Sequence, residues 1–144
     1  ALESLAMALP QYFKTSVYLI RPFNLYGKYE HKRRLYPYLT SNAISQVPSS
    51  ITKGEQKKYF TPVLKLAEKI EEKLTDICLR QGFSLENLHD GTIASVNEFA
   101  QTIYKGHGLD PRKYITNDRP SRKKEPQALL PLLNESSFSI HTHE

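Results

Sequence analysis

The sequence has one cysteine, no long apolar run and no hydrolase or metal motif. Cys78 cannot form a disulfide within the chain, which suits a reducing compartment, and it is expected to be a small buried residue. No apolar stretch approaches the roughly 18 residues of a membrane span, and no basic-then-apolar leader is present. There is no G-x-S-x-G turn and no ligand-spaced cluster for a metal. The sequence predicts a cytoplasmic protein without a metal site.

Length and charge narrow the possible partners. A chain of 144 residues favours one domain that can bury a core. The net charge of +5 suits a polyanionic partner, which is either nucleic acid or a doubly charged diphosphate.

Hydrophobic periodicity predicts alternating helices and strands. Apolar residues recur at helical spacing from residue 2 to 13 and from 63 to 78, and the second helix is expected to be capped by Thr61 with Pro62 at its first position. Strands are predicted at 17–20, where the run should be buried, and at 83–88. Ser95 and Glu98 match a capping box at the start of another helix. The pattern predicts an α/β fold.

The stretch from Ser16 to Leu39 carries the strongest functional signal in the sequence, because a predicted strand is followed by a loop of aromatic and polar residues. The β-branched run Val17 to Ile20 is followed by Pro22, and then by Phe23, Asn24, Tyr26 and Gly27. In open α/β sheets, ligands bind just outside the carboxyl ends of strands. The segment after this strand is therefore a candidate ligand-binding loop.

The string Arg21-Pro22-Phe23-Asn24-Leu25-Tyr26-Gly27 resembles the R-P-x-N-x-Y-G segment of extended short-chain dehydrogenases/reductases. These are NAD(P)-dependent epimerases, dehydratases and 4-ketoreductases of nucleotide sugars. Further segments that are similar to the family follow in its order: Arg34-Leu35-Tyr36-Pro37, Gly54 to Ala67, Asn87 to Ala100, and Pro120 to Glu125. The resemblance covers residues 1–126, and residues 127–144 are expected to form a flexible tail.

The resemblance implies a fold and a set of site residues. The fold is the C-terminal part of a doubly wound Rossmann-type sheet with the smaller substrate-binding α/β subdomain. The residues expected to bind a nucleotide-diphosphate sugar are Asn24, Arg34, Leu35, Lys58 and Arg122, while Phe23 would lie beside the nicotinamide of NAD(P). Lys58 occupies the place of a family arginine, so it keeps the charge and loses the bidentate fork.

Each of these residues has a simpler interpretation. Asn24 could cap a turn, Lys58 could be a strand-edge charge, and Arg34 and Arg122 could be solvated charges.

Two family signatures are missing from these residues. There is no G-x-G-x-x-G turn for a dinucleotide, and none of the nine tyrosines has lysine four residues later. We therefore expect the chain alone to be inactive and to bind no NAD(P). A separate N-terminal Rossmann half or a homo-oligomer is the expected protein partner.

Two other hypotheses stay open at this point. The basic and tyrosine-rich stretch from Tyr26 to Tyr38 suits a non-catalytic module for RNA or another polyanion. A degenerate remnant that barely folds is the third, because part of a doubly wound sheet would leave apolar faces bare.

Overall fold

The computed structural model describes residues 2–77, 82–88, 92–120, 128–129 and 138–140. The helices in these ranges are α1 (Leu2–Tyr12), α2 (Leu35–Ile44), α3 (Val63–Ile77), α4 (Val96–Gly106) and α5 (Pro111–Tyr114). The strands are β1 (Ser16–Pro22), β2 (Leu25–Tyr26), β3 (Ser49–Ser50), β4 (Lys57–Pro62), β5 (Gly82–Leu88), β6 (Thr92–Ser95), β7 (Ile115–Thr116), β8 (Ala128–Leu129) and β9 (Phe138–Ile140). The predicted α/β class is confirmed. Cys78 lies outside the described residues.

The first sheet is built on β1 and β5, which run parallel over their whole length, from Ser16 beside Gly82 to Pro22 beside Leu88. Strand β9 pairs antiparallel with the other side of β5. The expectation that β1 is buried is wrong, since six of its residues are half-buried and Pro22 is exposed. The reason is that β1 lies at an edge of the described sheet, and α1 and α3 cover it only in part.

The second sheet surrounds β4, which is parallel to β2 and β8 and antiparallel to β6. A short parallel pair of β3 and β7 lies apart from it. The expectation that Thr61 caps α3 is wrong. Thr61 and Pro62 pair with β2 and end the strand, so Thr61 is fully buried and its hydroxyl has no partner within the described residues.

The main hydrophobic core joins α2, α4 and β4. Its fully buried members include Leu39, Ala100 and Tyr104. The Ser95–Glu98 capping box is confirmed: Ser95 Oγ accepts from the Glu98 backbone N–H at 3.1 Å, and the Glu98 carboxylate accepts from the Ser95 N–H at 2.7 Å. The cap fixes the start of α4 at the end of β6, next to β4.

Helices α1 and α3 leave much apolar surface uncovered. Helix α1 buries none of its residues, and Leu5 is 61% exposed. The apolar stripe of α3 is regular, yet its members Ile70 and Leu74 are 42% and 54% exposed, and Leu64 beside the stripe is 71% exposed. In the ranges that the structure describes, no helix combines the length and apolar character needed to cross a membrane.

Candidate functional site

A pocket of about 370 Å³ opens where the loop after β1 meets β4 and the start of α2. Its walls carry an amide, a carboxylate and two cations, and its apolar lining is largely aromatic. The residues that line it are Asn24, Leu25, Tyr26, Glu30, Arg34, Leu35, Tyr36, Lys58, Phe60, Val96 and Phe99. They come from three separate parts of the chain, residues 24–36, 58–60 and 96–99, so only the tertiary fold assembles them.

Asn24 lies two residues beyond the end of β1 and has a φ of 36°, in the left-handed region that asparagine tolerates better than most residues. Its backbone carbonyl accepts a hydrogen bond from the Thr61 N–H at 3.3 Å. This bond and the β2–β4 pairing that follows tie the loop to β4. A place in the turn and a place in the pocket wall therefore do not exclude each other, since Asn24 forms the turn and also lines the pocket.

Gly27 permits the chain to pass close to the start of α3, because a Cβ there would stand 2.6 Å from Cγ1 of Val63. Two turns follow, in which the Glu30 N–H donates to the Gly27 carbonyl at 3.2 Å and the Arg34 N–H to the His31 carbonyl at 2.8 Å. Across the loop, Arg34 Nε lies 2.6 Å from Glu30 Oε1. These contacts bring Glu30 and Arg34 to the same wall of the pocket.

Four rings form much of the apolar lining. Phe60 and Phe99 stack with centroids 3.9 Å apart and planes 4° apart. Tyr26 lies 5.0 Å from Phe99, edge to face, and 4.8 Å from Tyr36. Burial raises the pKa of Tyr26, and the neighbouring Tyr36 raises it further. Tyr26 therefore keeps its hydroxyl proton at neutral pH and offers a neutral donor.

The two helices that begin at the pocket differ in their first turns. The N–H groups of Val96, Asn97 and Glu98 in α4 donate to Gln56, Gly54 and Ser95, respectively, so α4 has no free donors there. Helix α2 begins after Arg34 without a side-chain cap. Its first two residues, Leu35 and Tyr36, line the pocket. An uncapped helix start carries a partial positive charge and free N–H groups, which suit an anion.

Four of the six site residues predicted from sequence meet here: Asn24, Arg34, Leu35 and Lys58. Phe23 does not line the pocket; its ring lies 6.5 Å from that of Tyr59. Arg122 lies outside the described residues. Their roles in binding stay predictions. Glu30 was not predicted as a site residue, and the structure places it in the pocket wall beside Arg34.

A second cavity of about 480 Å³ lies on the other side of α2, lined by Gly27, Lys28, Tyr36, Pro37, Thr40, Ser41, Ile44 and Ser45. It contains one cation and none of the predicted site residues. No group of three or more possible metal ligands occurs in the part of the chain that the structure describes. The pocket at Asn24 and Lys58 is the better candidate, because charged and hydrogen-bonding groups from several segments converge in it.

No protein-family profile matches the sequence, and a comparison with curated proteins finds no match.

Comparison with solved structures gives clear matches. The dTDP-glucose 4,6-dehydratase of Streptomyces venezuelae, solved with NAD, is 18% identical over 79% of this chain with a TM-score of 0.64. The corresponding enzyme of Bacillus anthracis, also with NAD, is 21% identical over 79% with a TM-score of 0.65. A variant UDP-glucuronic acid 4-epimerase of Bacillus cereus, in complex with NAD and a fluorinated UDP-sugar, is 18% identical over 92% with a TM-score of 0.67.

The matches cover 34%, 36% and 41% of those chains, so this chain spans little more than a third of their length. At this level of identity the comparison shows the fold. The Rossmann-type α/β architecture predicted from the motif resemblance is confirmed. The chain has the fold of one part of these sugar-nucleotide dehydratases and of this epimerase.

Proposed function

We propose that this chain is the nucleotide-sugar-binding portion of an NAD(P)-dependent extended short-chain dehydrogenase/reductase that acts as an epimerase, dehydratase or reductase. One observation carries the proposal. Asn24, Arg34, Leu35 and Lys58 were each selected from family-like motifs, and they line one pocket although up to 34 positions separate them.

The chemistry of the pocket suits a diphosphate joined to a ring. Lys58 makes no ion pair within the described residues, so its ammonium is available to a phosphate. The uncapped start of α2 supplies N–H donors at Leu35 and Tyr36. The rings of Tyr26 and Tyr36 offer flat apolar surface for a base or a sugar.

Each predicted residue has a role in this proposal. The Asn24 amide donates to a phosphate or sugar oxygen, Lys58 and Arg34 balance the diphosphate charge, and the Leu35 N–H binds at the helix start. Arg122 would clamp the phosphate from its own segment, and Phe23 would face the nicotinamide.

The hydride chemistry is assigned to residues other than these. The described residues offer no glycine-rich dinucleotide turn, and the sequence contains no Tyr-x-x-x-Lys pair. A Rossmann half outside these 144 residues, for example on a separate chain, would supply NAD(P) and the proton-transfer pair, since a second copy of this sequence contains neither motif. The exposed apolar faces of α1 and α3 and the outer edge of β1 in the described sheet are suited to such a partner.

Calorimetric titration of the 144-residue chain with UDP-glucose and dTDP-glucose tests the binding role. Measurable affinity is expected, and Lys58→Ala should weaken it about tenfold, because a hydrogen bond to a charged group is lost. Lys53→Ala is the matched control, since Lys53 is exposed and lies outside the pocket.

NAD(H) and turnover provide the second readout. We expect no turnover of the nucleotide sugars and no NAD(H) binding below millimolar concentration by the chain alone. Binding of generic RNA that weakens steeply with salt, with no nucleotide-sugar binding, would instead support the basic-module hypothesis.

A further inference from the structure

The carboxylate of Glu30 is nearly buried in the wall of the candidate pocket. The side chain is 13% exposed, and Oε1 is paired with Arg34 Nε at 2.6 Å. The other oxygen, Oε2, is enclosed and accepts no hydrogen bond from any residue that the structure describes. A buried carboxylate oxygen without a donor is costly, so a donor from outside the protein would stabilise this arrangement.

Arg34 is not placed to satisfy both oxygens. Its side chain is 62% exposed and its Nε lies 2.6 Å from Oε1, while no hydrogen bond from a described residue reaches Oε2. Glu30 therefore retains acceptor capacity after its ion pair has formed. The torsion that orients a carboxylate is broad, so a small rotation can turn Oε2 towards the pocket.

Lys58 lines the same pocket and forms no ion pair with Glu30. Because Glu30 and Lys58 line one cavity without forming an ion pair, the cavity can bind a ligand that carries both an anionic group and a hydrogen-bond donor. An anionic group would lie at Lys58, which has no carboxylate partner among the described residues, rather than at the Glu30 carboxylate, which repels it. A neutral donor would lie at Glu30.

We infer that Glu30 is a specificity-determining residue that accepts a hydrogen bond from a ligand hydroxyl. The inference rests on the proposed function, because it places the hydroxyl on a nucleotide sugar. Two hydroxyl sources share this chemistry, the ribose and the hexose. The pocket thereby separates nucleotide sugars from bare diphosphates, which offer no such donor.

The test compares inorganic pyrophosphate, UDP and UDP-glucose by calorimetry on the wild-type chain and on Glu30→Gln. The variant keeps the size of the side chain and loses the charged acceptor. Affinity for UDP-glucose should fall about tenfold, while pyrophosphate should bind as tightly as before or more tightly. A loss already present with UDP assigns the hydroxyl to the ribose, and a loss seen only with UDP-glucose assigns it to the hexose.

Glu71→Gln is the matched control, because it removes the same charge from an exposed position on α3. A thermal melt followed by circular dichroism checks that Glu30→Gln folds. If it does not fold, the wild-type ligand series decides: equal affinities for pyrophosphate, UDP and UDP-glucose would show that no hydroxyl contributes, and would overturn the inference.

Two results on the folded variant contradict the inference. Equal loss of pyrophosphate and UDP-glucose binding would mean that Glu30 only positions Arg34. Unchanged UDP-glucose binding would mean that Glu30 makes no ligand contact. In both cases the proposed function is not contradicted. A wild-type chain that binds none of the three ligands would contradict the inference and the proposed function together.

Discussion

The two sheets of this chain differ in how completely the helices that pack on them bury apolar side chains. Around β4, the helices α2 and α4 enclose a core in which Leu39, Ala100 and Tyr104 are fully buried or nearly so. Around β1, no residue of the strand or of α1 is buried, although the neighbouring β5 buries Phe83 and Leu88 near its two ends. Both regions have regular apolar patterns, so the difference lies in which neighbours are present. The β4 region forms the candidate pocket, and the β1 region presents a surface that suits a further layer of protein.

Polar networks differ in the same way between the two regions. We call β4 with α2 and α4 the closed region, and β1 with β5, α1 and α3 the open region. In the closed region, the Tyr104 hydroxyl is 2.8 Å from Ser49 Oγ and donates to the Val47 carbonyl at 2.9 Å, deep in the core. In the open region, Tyr18 donates to the Glu86 carboxylate, which also lies 3.3 Å from Lys69 Nζ on α3. Hydrogen bonds between neutral groups therefore order the closed core, while an ion pair ties α3 to the open sheet.

The largest effect is expected for Phe99→Ala in the closed region. The change removes the ring that stacks on Phe60 and leaves a cavity, so the free energy of unfolding should fall by about 3–5 kcal/mol. Urea denaturation measures it. Phe13→Ala, at a ring 63% exposed after α1, is the control and should cost less than about 1 kcal/mol. Similar losses for both variants would break the distinction between the regions.

A smaller, pH-dependent effect is expected in the open region. Burial raises the pKa of Glu86, but hydrogen bonds from Tyr18 and Lys69 and the Lys69 charge outweigh it, so the pKa is lowered from 4.5. A lowered carboxyl pKa stabilises the folded state above the unfolded pKa, and this contribution is lost as the pH falls through the folded value. Glu86→Gln should therefore destabilise by about 1 kcal/mol at neutral pH and by less in acid.

Urea midpoints of the wild type and Glu86→Gln at pH 7 and near pH 3 measure this difference, since the contribution of the carboxylate declines once the pH falls below the unfolded-state pKa of about 4.3. Glu71→Gln serves as the control, because Glu71 is exposed on α3, the helix that carries Lys69. A difference between wild type and Glu86→Gln that stays constant with pH would show that the carboxylate charge contributes nothing.

The smallest effect is expected for Leu64→Lys on the open face of α3. Leu64 is 71% exposed, so the isolated chain should change by no more than about 0.5 kcal/mol. Denaturation at two protein concentrations measures it. A loss above about 1 kcal/mol that grows with concentration would show that a second copy of the chain covers this face, and the open region would then be an interface in solution.

Local signals in the sequence predicted the elements well where they depend on near neighbours. The capping box at Ser95, the strand predicted at 83–88 and found at Gly82–Leu88, and the helical stripe of α3 each follow from interactions within a few residues. Burial of β1 and the cap at Thr61 were predicted wrongly, because both depend on distant strands and helices.

The sequence by itself determined the α/β class, the order of the main elements and four residues of the candidate pocket. Only the tertiary structure decided that these four lie together, that α2 begins beside them without a side-chain cap, and that Glu30 shares their wall with a carboxylate oxygen to which no described residue donates. The physical reason is the separation along the chain between the residues that interact. Periodicity and capping act within about one helical turn, whereas Asn24 meets the β4 region through the pairing of two strands that lie far apart in the chain.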